Sequence, residues 1–214
     1  MTSRPAPHRP QRRTTRITRA RILEAARREL GRDPDSSLAD IAGAAGVARR
    51  TVYTHFAGRA ALVEGLAADA AEAVRLAVAV AGTPTPDAAT ALARFVLTLW
   101  PVGDRYRTLL GLAHQDLGPD RVSELLAPAR DTVAAILRLG RRQGVFHTHV
   151  PAGPLSRALE AHLLALLDSV NSGKWADDGT GAATAALIAA GVTSDAAAAT
   201  VHRVRGTGGT RPPR

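Results

Sequence analysis

Apolar residues recur every three to four positions along most of this chain, which is the period of an α-helix with one buried face. The clearest case runs from Thr15 to Leu30 and is followed by Gly31 and the turn-forming pair Asp33 and Pro34. No stretch alternates apolar and polar residues between hairpin turns, so the chain is predicted to be all-α. Further helices are predicted near residues 38–45, 48–55, 58–81, 85–100, 104–116, 119–142, 154–171 and 179–190, with a break at Pro101 and Gly103.

A capping signal and a turn signal lie close together between residues 36 and 48. Ser36 or Ser37 can cap the amino end of a helix, and Asp40 follows Ser37 at the spacing of a capping box. Gly46 permits the tight turn that would end this helix, and Val47 can pack beneath it. A second short helix follows, so residues 36–56 are predicted to form a helix-turn-helix.

The second helix of this motif has an apolar face and a polar face. Val52 and Phe56 are four residues apart and are predicted to point inward. Arginine is the commonest bidentate partner of guanine in the major groove, and hydroxyl and imidazole groups can donate to phosphate oxygens. The alternative is an ordinary helical hairpin with a solvated charged face, but capping, turn, spacing and charge agree on DNA binding. The predicted outward set is Arg49, Arg50, Thr51, Tyr53 and His55.

Three stretches resemble the amino-terminal DNA-binding domain of TetR-family transcriptional regulators. They are RITRARILEAARREL, LADIAGAAGV and TVYTHFAGRAALVEGL, and the pattern T-V-Y-x-H-F before a basic residue and a leucine is typical of that family. The resemblance implies base contacts from Arg49 and Arg50, and it places Arg59 where the family usually has a phosphate-binding lysine. Ala48 stands where the family commonly has serine, so a cap and a hydroxyl are missing. The predicted DNA-contacting residues are Arg16, Ser37, Arg49, Arg50, Thr51, Tyr53, His55 and Arg59, of which Thr51, Tyr53 and His55 are expected on phosphates.

Positive charge is concentrated at the amino-terminal end. The formal net charge is +9, and residues 1–56 contribute +7 of it through 12 arginines and five acidic residues. A phosphate backbone attracts such a field, and binding should weaken steeply as salt rises. Residues 1–15 combine Pro, Arg and Thr without periodicity and are predicted to be a disordered basic arm, which either reaches a minor groove or is a nonspecific tail.

These patterns divide the chain into four predicted parts. Residues 1–15 are the basic arm, and residues 16–60 are a three-helix helix-turn-helix domain that binds DNA. Residues 61–193 are a helical domain for ligand binding and dimerisation. Residues 194–214 are a short helix or a disordered tail.

The predicted second domain contains most of the few aromatic residues. A ligand pocket needs apolar walls and a few polar groups, and the region from 95 to 114 offers both. The candidate residues are Phe95, Leu99, Trp100, Tyr106, Leu110 and His114, with a plain helical core as the alternative. The resemblance implies an effector of unknown identity, which we expect to be a largely apolar small molecule. No cofactor and no metal is expected.

The late helices at 155–170 and 182–190 carry more apolar surface than one chain of this size covers readily. The resemblance implies that they pack against their symmetry mates as a four-helix homodimer interface, whereas internal packing is the alternative. The candidate interface residues are Leu159, His162, Leu163, Leu166, Leu167 and Leu187.

The favoured interpretation is a ligand-responsive repressor that binds a palindromic double-stranded DNA operator as a homodimer and is released by a small molecule. Catalysis is disfavoured, because His114 with Asp116 and His147 with His149 match no established catalytic or zinc motif. A nonspecific architectural DNA protein is disfavoured by the near-neutral second domain.

Cysteine is absent, which excludes disulfides. The lack of a long apolar run or a signal segment predicts a cytoplasmic protein outside the membrane.

Overall fold

The computed structural model describes residues 9–82, 85–116 and 118–208, and the regular structure of those residues is entirely helical, as predicted. The side chains of residues 9–12, 107–108, 110–111, 113–117, 119 and 207–208 lie outside this description. The helices are α1 (Arg9–Arg32), α2 (Leu38–Ala44), α3 (Arg49–His55), α4 (Arg59–Ala81), α5 (Ala88–Asp116), α6 (Pro119–Arg142), α7 (Ala152–Asn171), α8 (Thr180–Ala189) and α9 (Ser194–Gly208). None of these described helices combines the length and hydrophobicity that a membrane crossing requires.

Two compact units make up the chain. The first comprises Met1–Asp69 and Thr108–Val122, and the second comprises Ala70–Arg107 and Ser123–Arg214. In the first unit α1 packs on α2 and α2 packs on α3. Ile22 and Leu30 of α1, Ile41 of α2 and Val52 of α3 are each at most 2% exposed. These three helices therefore share a small apolar core.

Helix α1 begins at Arg9 and not near Thr15, which corrects the predicted disorder of residues 9–15. Pro10 stands in the first turn, where its missing N–H removes no intrahelical hydrogen bond and its fixed φ suits a helix. Arginine is a good helix former, so the Arg-rich run can extend the amphipathic helix without adding an apolar period. Residues 1–8 of the predicted arm lie outside the described part of the chain.

A single apolar core holds the second unit together. Leu92 and Phe95 of α5, Leu137 of α6, Leu159 of α7 and Leu187 of α8 all belong to it, and none is more than 3% exposed. Helix α8 contributes almost only small residues, and three of its alanines are completely buried. Close approach of neighbouring helices to α8 follows from these short side chains.

Helix α9 packs along α8 and covers one side of it. Ala197 and Val201 of α9 are completely buried in the core of the second unit. Arg205 donates to the Asp178 carboxylate and to the Thr180 hydroxyl at the start of α8. The first of these contacts holds the pKa of Asp178 far below its ordinary value. Residues 194–208 are therefore a docked helix.

Three polar contacts, made by Arg130 and Gln143, hold α6 and its carboxy-terminal end within the second unit. The Arg130 guanidinium lies 2.7 Å from the Glu160 carboxylate of α7. Just after α6 ends, Gln143 Oε1 accepts the backbone N–H of Ala88 at 3.1 Å, and its amide nitrogen donates to the carbonyl of Pro86. The end of α6 is thereby tied to the beginning of α5.

Helix α5 continues through Pro101, so the predicted break between residues 100 and 104 was wrong. A proline inside a helix removes one hydrogen bond and costs about 3 kcal/mol in isolation. Tertiary packing outweighs that cost, because Trp100 is buried in the core and α7 lies against Gly103. A Cβ at Gly103 would lie 2.7 Å from Leu167 Cδ1, so this glycine permits a close helix contact and does not end the helix.

Candidate nucleic-acid interface

The first helix of the predicted motif starts with the predicted capping box. Ser37 Oγ accepts the backbone N–H of Asp40 at 3.2 Å, and the Asp40 carboxylate accepts the backbone N–H of Ser37 at 2.9 Å. The Ser37 hydroxyl also donates to that carboxylate at 2.6 Å, and this hydrogen bond is the main reason that the pKa of Asp40 is lowered. The hydroxyl hydrogen of Ser37 is thus committed to Asp40, although the residue is exposed where a phosphate could approach.

A glycine turn joins the two helices of the motif. Gly46 has φ +60°, a conformation that side chains with a Cβ disfavour. The N–H of Val47 donates to the carbonyl of Ala42 at 3.0 Å, which closes the turn. Arg21 of α1 donates to the carbonyl of Gly46 at 3.3 Å, a contact across 25 residues that no local sequence signal could have predicted.

Helix α3 starts without a side-chain cap. Ala48 has the extended backbone of an N-cap residue, φ −64° and ψ 143°, but its methyl group offers no hydrogen-bond acceptor. The amino end of the predicted recognition helix therefore lacks the stabilisation that Ser37 gives to α2.

Replacing Ala48 with serine should stabilise the protein. The extended N-cap geometry is already present, so the new hydroxyl can accept a free N–H in the first turn and raise the free energy of unfolding by about 1 kcal/mol. Urea denaturation measures this change. Ala68→Ser, an exposed substitution inside α4, is the matched control and should be destabilising by about 0.5 kcal/mol. Equal effects of the two substitutions would contradict capping at residue 48.

The inner face of α3 is apolar, as predicted. Val52 is completely buried and Phe56 is 3% exposed. The Phe56 ring lies against Gly65 of α4, where a Cβ would come within 2.7 Å of Cε1, and the Arg19 guanidinium lies 5.1 Å from the ring centroid. These contacts fix the rotation of α3 about its axis, which determines the side chains that it presents to solvent.

The outer face of α3 presents the predicted polar set. Arg49 and Arg50 are exposed, and Tyr53 is 46% exposed even though it is a large aromatic residue. Thr51 and His55 are partly exposed beside them. The Arg49 guanidinium lies 5.9 Å from the Tyr53 ring centroid, which orients both groups on the same helix face. A cationic, hydrogen-bonding surface on the exposed face of a short helix suits a DNA major groove.

Arg59 begins α4 and bonds to the loop between α1 and α2. Its guanidinium donates to the carbonyl of Pro34 at 2.6 Å and to the carbonyl of Ser36 at 3.4 Å. These contacts link the start of α4 to the residue that precedes the capping box. Arg59 therefore has a structural role beside the phosphate contact that the resemblance implies.

Replacing Arg59 with glutamine should lower both stability and DNA affinity. Two backbone carbonyls lose a charged donor, so the free energy of unfolding should fall by about 1 kcal/mol. Arg50→Gln is the matched control, because Arg50 is exposed on α3; it should weaken DNA binding and leave unfolding unchanged. Parallel urea denaturation and gel-shift titrations separate the two effects. Unchanged stability in Arg59→Gln would show that the carbonyl contacts contribute nothing.

Arg16 lies exposed on α1, together with Arg13. Arg13 belongs to the turns that the structure adds before Thr15, whereas Arg16 lies within the predicted helix. The arginines of this region are therefore presented from a helical backbone, and their contribution to DNA binding stays a prediction.

The predicted pocket residues are largely core residues in the structure. Phe95 and Trp100 are 2% and 6% exposed and belong to the core of the second unit, against which Leu99 packs. The Trp100 indole donates to the carbonyl of Asp177 at 3.3 Å and meets the Trp175 ring edge-on, with ring centroids 6.3 Å apart. Tyr106 is also buried. The side chains of Leu110 and His114 lie outside the described part.

A groove of ≈ 630 Å³ lies elsewhere in the second unit, between α6 and residues 81–82, 85–86 and 91. Ile136 and Leu139 of α6 form one wall, and Ala81, Pro86 and Ala91 belong to the other. Of the predicted pocket residues whose side chains the structure describes (Phe95, Leu99, Trp100 and Tyr106), none lines this groove. Sequence patterns missed it because its walls come from segments about 50 residues apart.

The predicted interface residues fall into two groups. Leu159, Leu167 and Leu187 are at most 6% exposed and pack inside their own chain, which follows the alternative of internal packing. His162 is exposed, and Leu163 and Leu166 are partly exposed. Only the second group is available to a partner.

The loop histidines show no metal-binding arrangement. His147 and His149 are both exposed. Within the described ranges, no group of three histidine, aspartate or glutamate side chains is placed to hold a metal ion.

Residues 22–66 match the family model described as bacterial regulatory proteins, tetR family. RolR in complex with resorcinol is similar in structure, with 24% identity, a TM-score of 0.58 and coverage of 89% of this chain and 96% of RolR. An ArpA-like gamma-butyrolactone receptor has 18% identity and a TM-score of 0.67, covering 92% of this chain and 100% of the receptor. A TetR-family regulator from Rhodococcus sp. has 18% identity and a TM-score of 0.66, with coverage of 81% and 97%. No curated protein matches the sequence significantly.

The family model covers the carboxy-terminal part of α1, all of α2 and α3 and the start of α4. The capping box, the glycine turn and the exposed arginine face all lie within this stretch. The solved regulators extend the likeness in fold over most of the chain. The predicted resemblance is therefore confirmed: residues 22–66 match the tetR family of bacterial regulatory proteins, and the described chain has the all-helical fold of solved regulators of that family.

Proposed function

We propose that this chain is a transcriptional repressor that binds a palindromic operator as a homodimer and leaves it when a small molecule binds the second unit. The observation that carries the proposal is the exposed face of α3. Arg49, Arg50 and Tyr53 project from a helix whose other side is locked by Val52 and Phe56. Arg49 and Arg50 would contact base edges, and Thr51, Tyr53 and His55 would contact phosphates.

The operator test is a selection of bound fragments from genomic DNA, followed by sequencing. A dimer with one recognition helix in each of two successive major grooves should select inverted repeats. The centres of the two half-sites should lie about 34–36 Å apart. Affinity for that sequence should fall steeply with salt, since phosphate contacts release counterions. Equal affinity for random DNA would replace the proposal with nonspecific architectural binding.

Homodimerisation is supported by the outer faces of α7 and α8. Small residues on α7 (Ala158, Ala161 and Ala165) are exposed, and Ile188 of α8 is 45% exposed. The two helices contact each other, so these residues can form one surface with His162, Leu163 and Leu166. Short side chains allow a second helix pair to approach closely, as in a four-helix interface.

Ile188→Arg should convert the dimer into a monomer, because the new charge would be buried between the two copies. Light scattering coupled to size-exclusion chromatography gives the mass directly. Val150→Arg is the matched control, since Val150 is a similarly exposed apolar residue in the loop before α7 and should leave the mass unchanged. A monomeric parent protein, or a dimeric Ile188→Arg variant, would contradict the proposed interface.

Release by an effector is supported by the similar regulators, among which are RolR in complex with resorcinol and a gamma-butyrolactone receptor. A ligand can release the operator only if it binds a low-affinity conformation better than the DNA-bound one. Addition of a true effector should therefore lower operator affinity in a gel shift and should stabilise the free protein against heat.

A further inference from the structure

We infer that the groove between α6 and residues 81–82, 85–86 and 91 binds a small amphipathic carboxylate, with Arg142 as the partner of its acid group. This inference rests on the proposed function, because it assigns the effector site and the chemical class of the effector. It differs from the sequence-based prediction, which placed the pocket around Phe95 and Trp100.

The apolar walls of the groove suit the chain of such a ligand. Ala135, Ile136 and Leu139 of α6 face Ala81, Pro86 and Ala91 across it, all of them without polar side-chain atoms. The volume of ≈ 630 Å³ lies within the range of about 300–1,000 Å³ that small-molecule sites occupy. A small organic molecule can therefore exchange its hydration for contact with aliphatic side chains.

The polar groups of the groove suit an anion. Arg142, in the last turn of α6, is the only charged residue among the described residues that line it. The described contacts include no hydrogen bond or ion pair of its exposed guanidinium. By contrast, the Thr132 hydroxyl donates to the carbonyl of Pro128 at 2.9 Å, and the Thr85 hydroxyl accepts from Arg94. The guanidinium is thus the group that can take a carboxylate, and it can do so with two parallel hydrogen bonds.

Charge complementarity also favours this occupant over a terminal segment of the same chain. Residues 209–214 contain two arginines and no acidic residue, and residues 1–8 contain one arginine and no acidic residue. Both would bring positive charge to Arg142. An inorganic anion would leave the aliphatic walls hydrated, so a molecule with one acid group and an apolar body fits both features of the groove.

Hydrogen bonds of Gln143 join the two walls of the groove, so a bound ligand can change the distance between them. Gln143, the residue after Arg142, holds the opposite wall through Pro86 and Ala88. A ligand that separates the walls must stretch these hydrogen bonds, whereas one that draws them together preserves them. Ala81, the last residue of α4, lines the same groove, and α4 begins at Arg59, which bonds to the helix-turn-helix unit. The same helix, α4, thus contains both Arg59 and Ala81.

The test uses octanoate as the probe, titrated into the full chain without DNA by calorimetry. Octanoate should bind the parent protein with a dissociation constant below about 10 mM. Arg142→Gln should weaken binding about tenfold or more, because the anion loses its charged partner. Arg141→Gln, a neighbouring exposed arginine that does not line the groove, is the matched control and should bind octanoate like the parent. Octylammonium, with the same chain and opposite charge, should bind at least tenfold more weakly than octanoate.

A second variant tests the apolar walls. Ala135→Trp places a large side chain in the groove from an exposed position on α6, so it should abolish octanoate binding while circular dichroism shows an intact helical fold. No octanoate binding by the parent, equal binding by Arg142→Gln, or equal binding of octylammonium would each overturn the inference. Operator binding measured without octanoate tests the proposed regulator separately from the proposed effector class. If the protein binds its operator but does not bind octanoate, the proposed regulator stands and only the effector class is wrong.

Discussion

Replacing Tyr53 with alanine should weaken operator binding by more than tenfold while leaving the free energy of unfolding nearly unchanged. Tyr53 is 46% exposed on α3, so its removal leaves little cavity in the core. DNA binding would lose a phosphate contact and also the ring that orients Arg49 from 5.9 Å away. Gel-shift titration at fixed salt and urea denaturation measure the two quantities separately.

Two controls make the Tyr53 result specific. Tyr53→Phe keeps the ring beside Arg49 and removes only the hydroxyl, so it should lose less affinity than Tyr53→Ala. Leu76→Ala removes a similarly exposed apolar side chain from α4 and should leave operator affinity unchanged. Unchanged affinity in Tyr53→Ala would remove this residue from the DNA interface.

Gly191→Ala should have the largest effect on stability, a loss of about 3 kcal/mol. Gly191 has φ +95°, which a residue with a Cβ rarely adopts, and the added atom would lie 2.7 Å from the carbonyl carbon of His147. The obstacle is the backbone of His147, so no side-chain rotation relieves it. Urea denaturation of the full chain measures the loss.

Two other glycines separate the causes of that loss. Gly173 has φ +68° but open space around its Cβ position, so Gly173→Ala should lose about 1 kcal/mol from backbone conformation alone. Gly206 lies in α9 with open space and helical backbone, so Gly206→Ala should be neutral or gain up to about 1 kcal/mol. Equal losses at Gly191 and Gly173 would show that the loop at His147 yields to the added methyl group.

The helix-turn-helix was predictable because its signals are local. Ser37 and Asp40 form their capping box within one turn, and Gly46 needs only its own backbone freedom. Val52 and Phe56 are separated by one helical turn, so their common face follows from spacing alone. Each of these signals can be recognised without knowing what the rest of the chain does.

Features that depend on distant partners were not predictable. Pro101 and Gly103 predict a break, but α5 is continuous through both residues. Gly103 packs against Leu167, which is 64 residues away in the sequence, so no local pattern reveals this contact. Leu187 has the same apolar character whether it faces a partner or its own core, and the core buries it completely. The hydrogen bonds of Arg59 to Pro34 and Ser36 likewise have no sequence signature, because basic residues at a helix start do not reveal which carbonyls lie nearby.

The edge-on pair of Trp100 and Trp175 makes one part of the molecule spectroscopically distinct. These are the only two tryptophans of the chain, and both lie where α5 meets the connection between α7 and α8. Intrinsic tryptophan emission therefore reports the environment of that connection alone, and the close ring pair should give an exciton signal in near-ultraviolet circular dichroism. Loosening of α8 would change both signals without any label, whereas rearrangement confined to the helix-turn-helix would leave them constant.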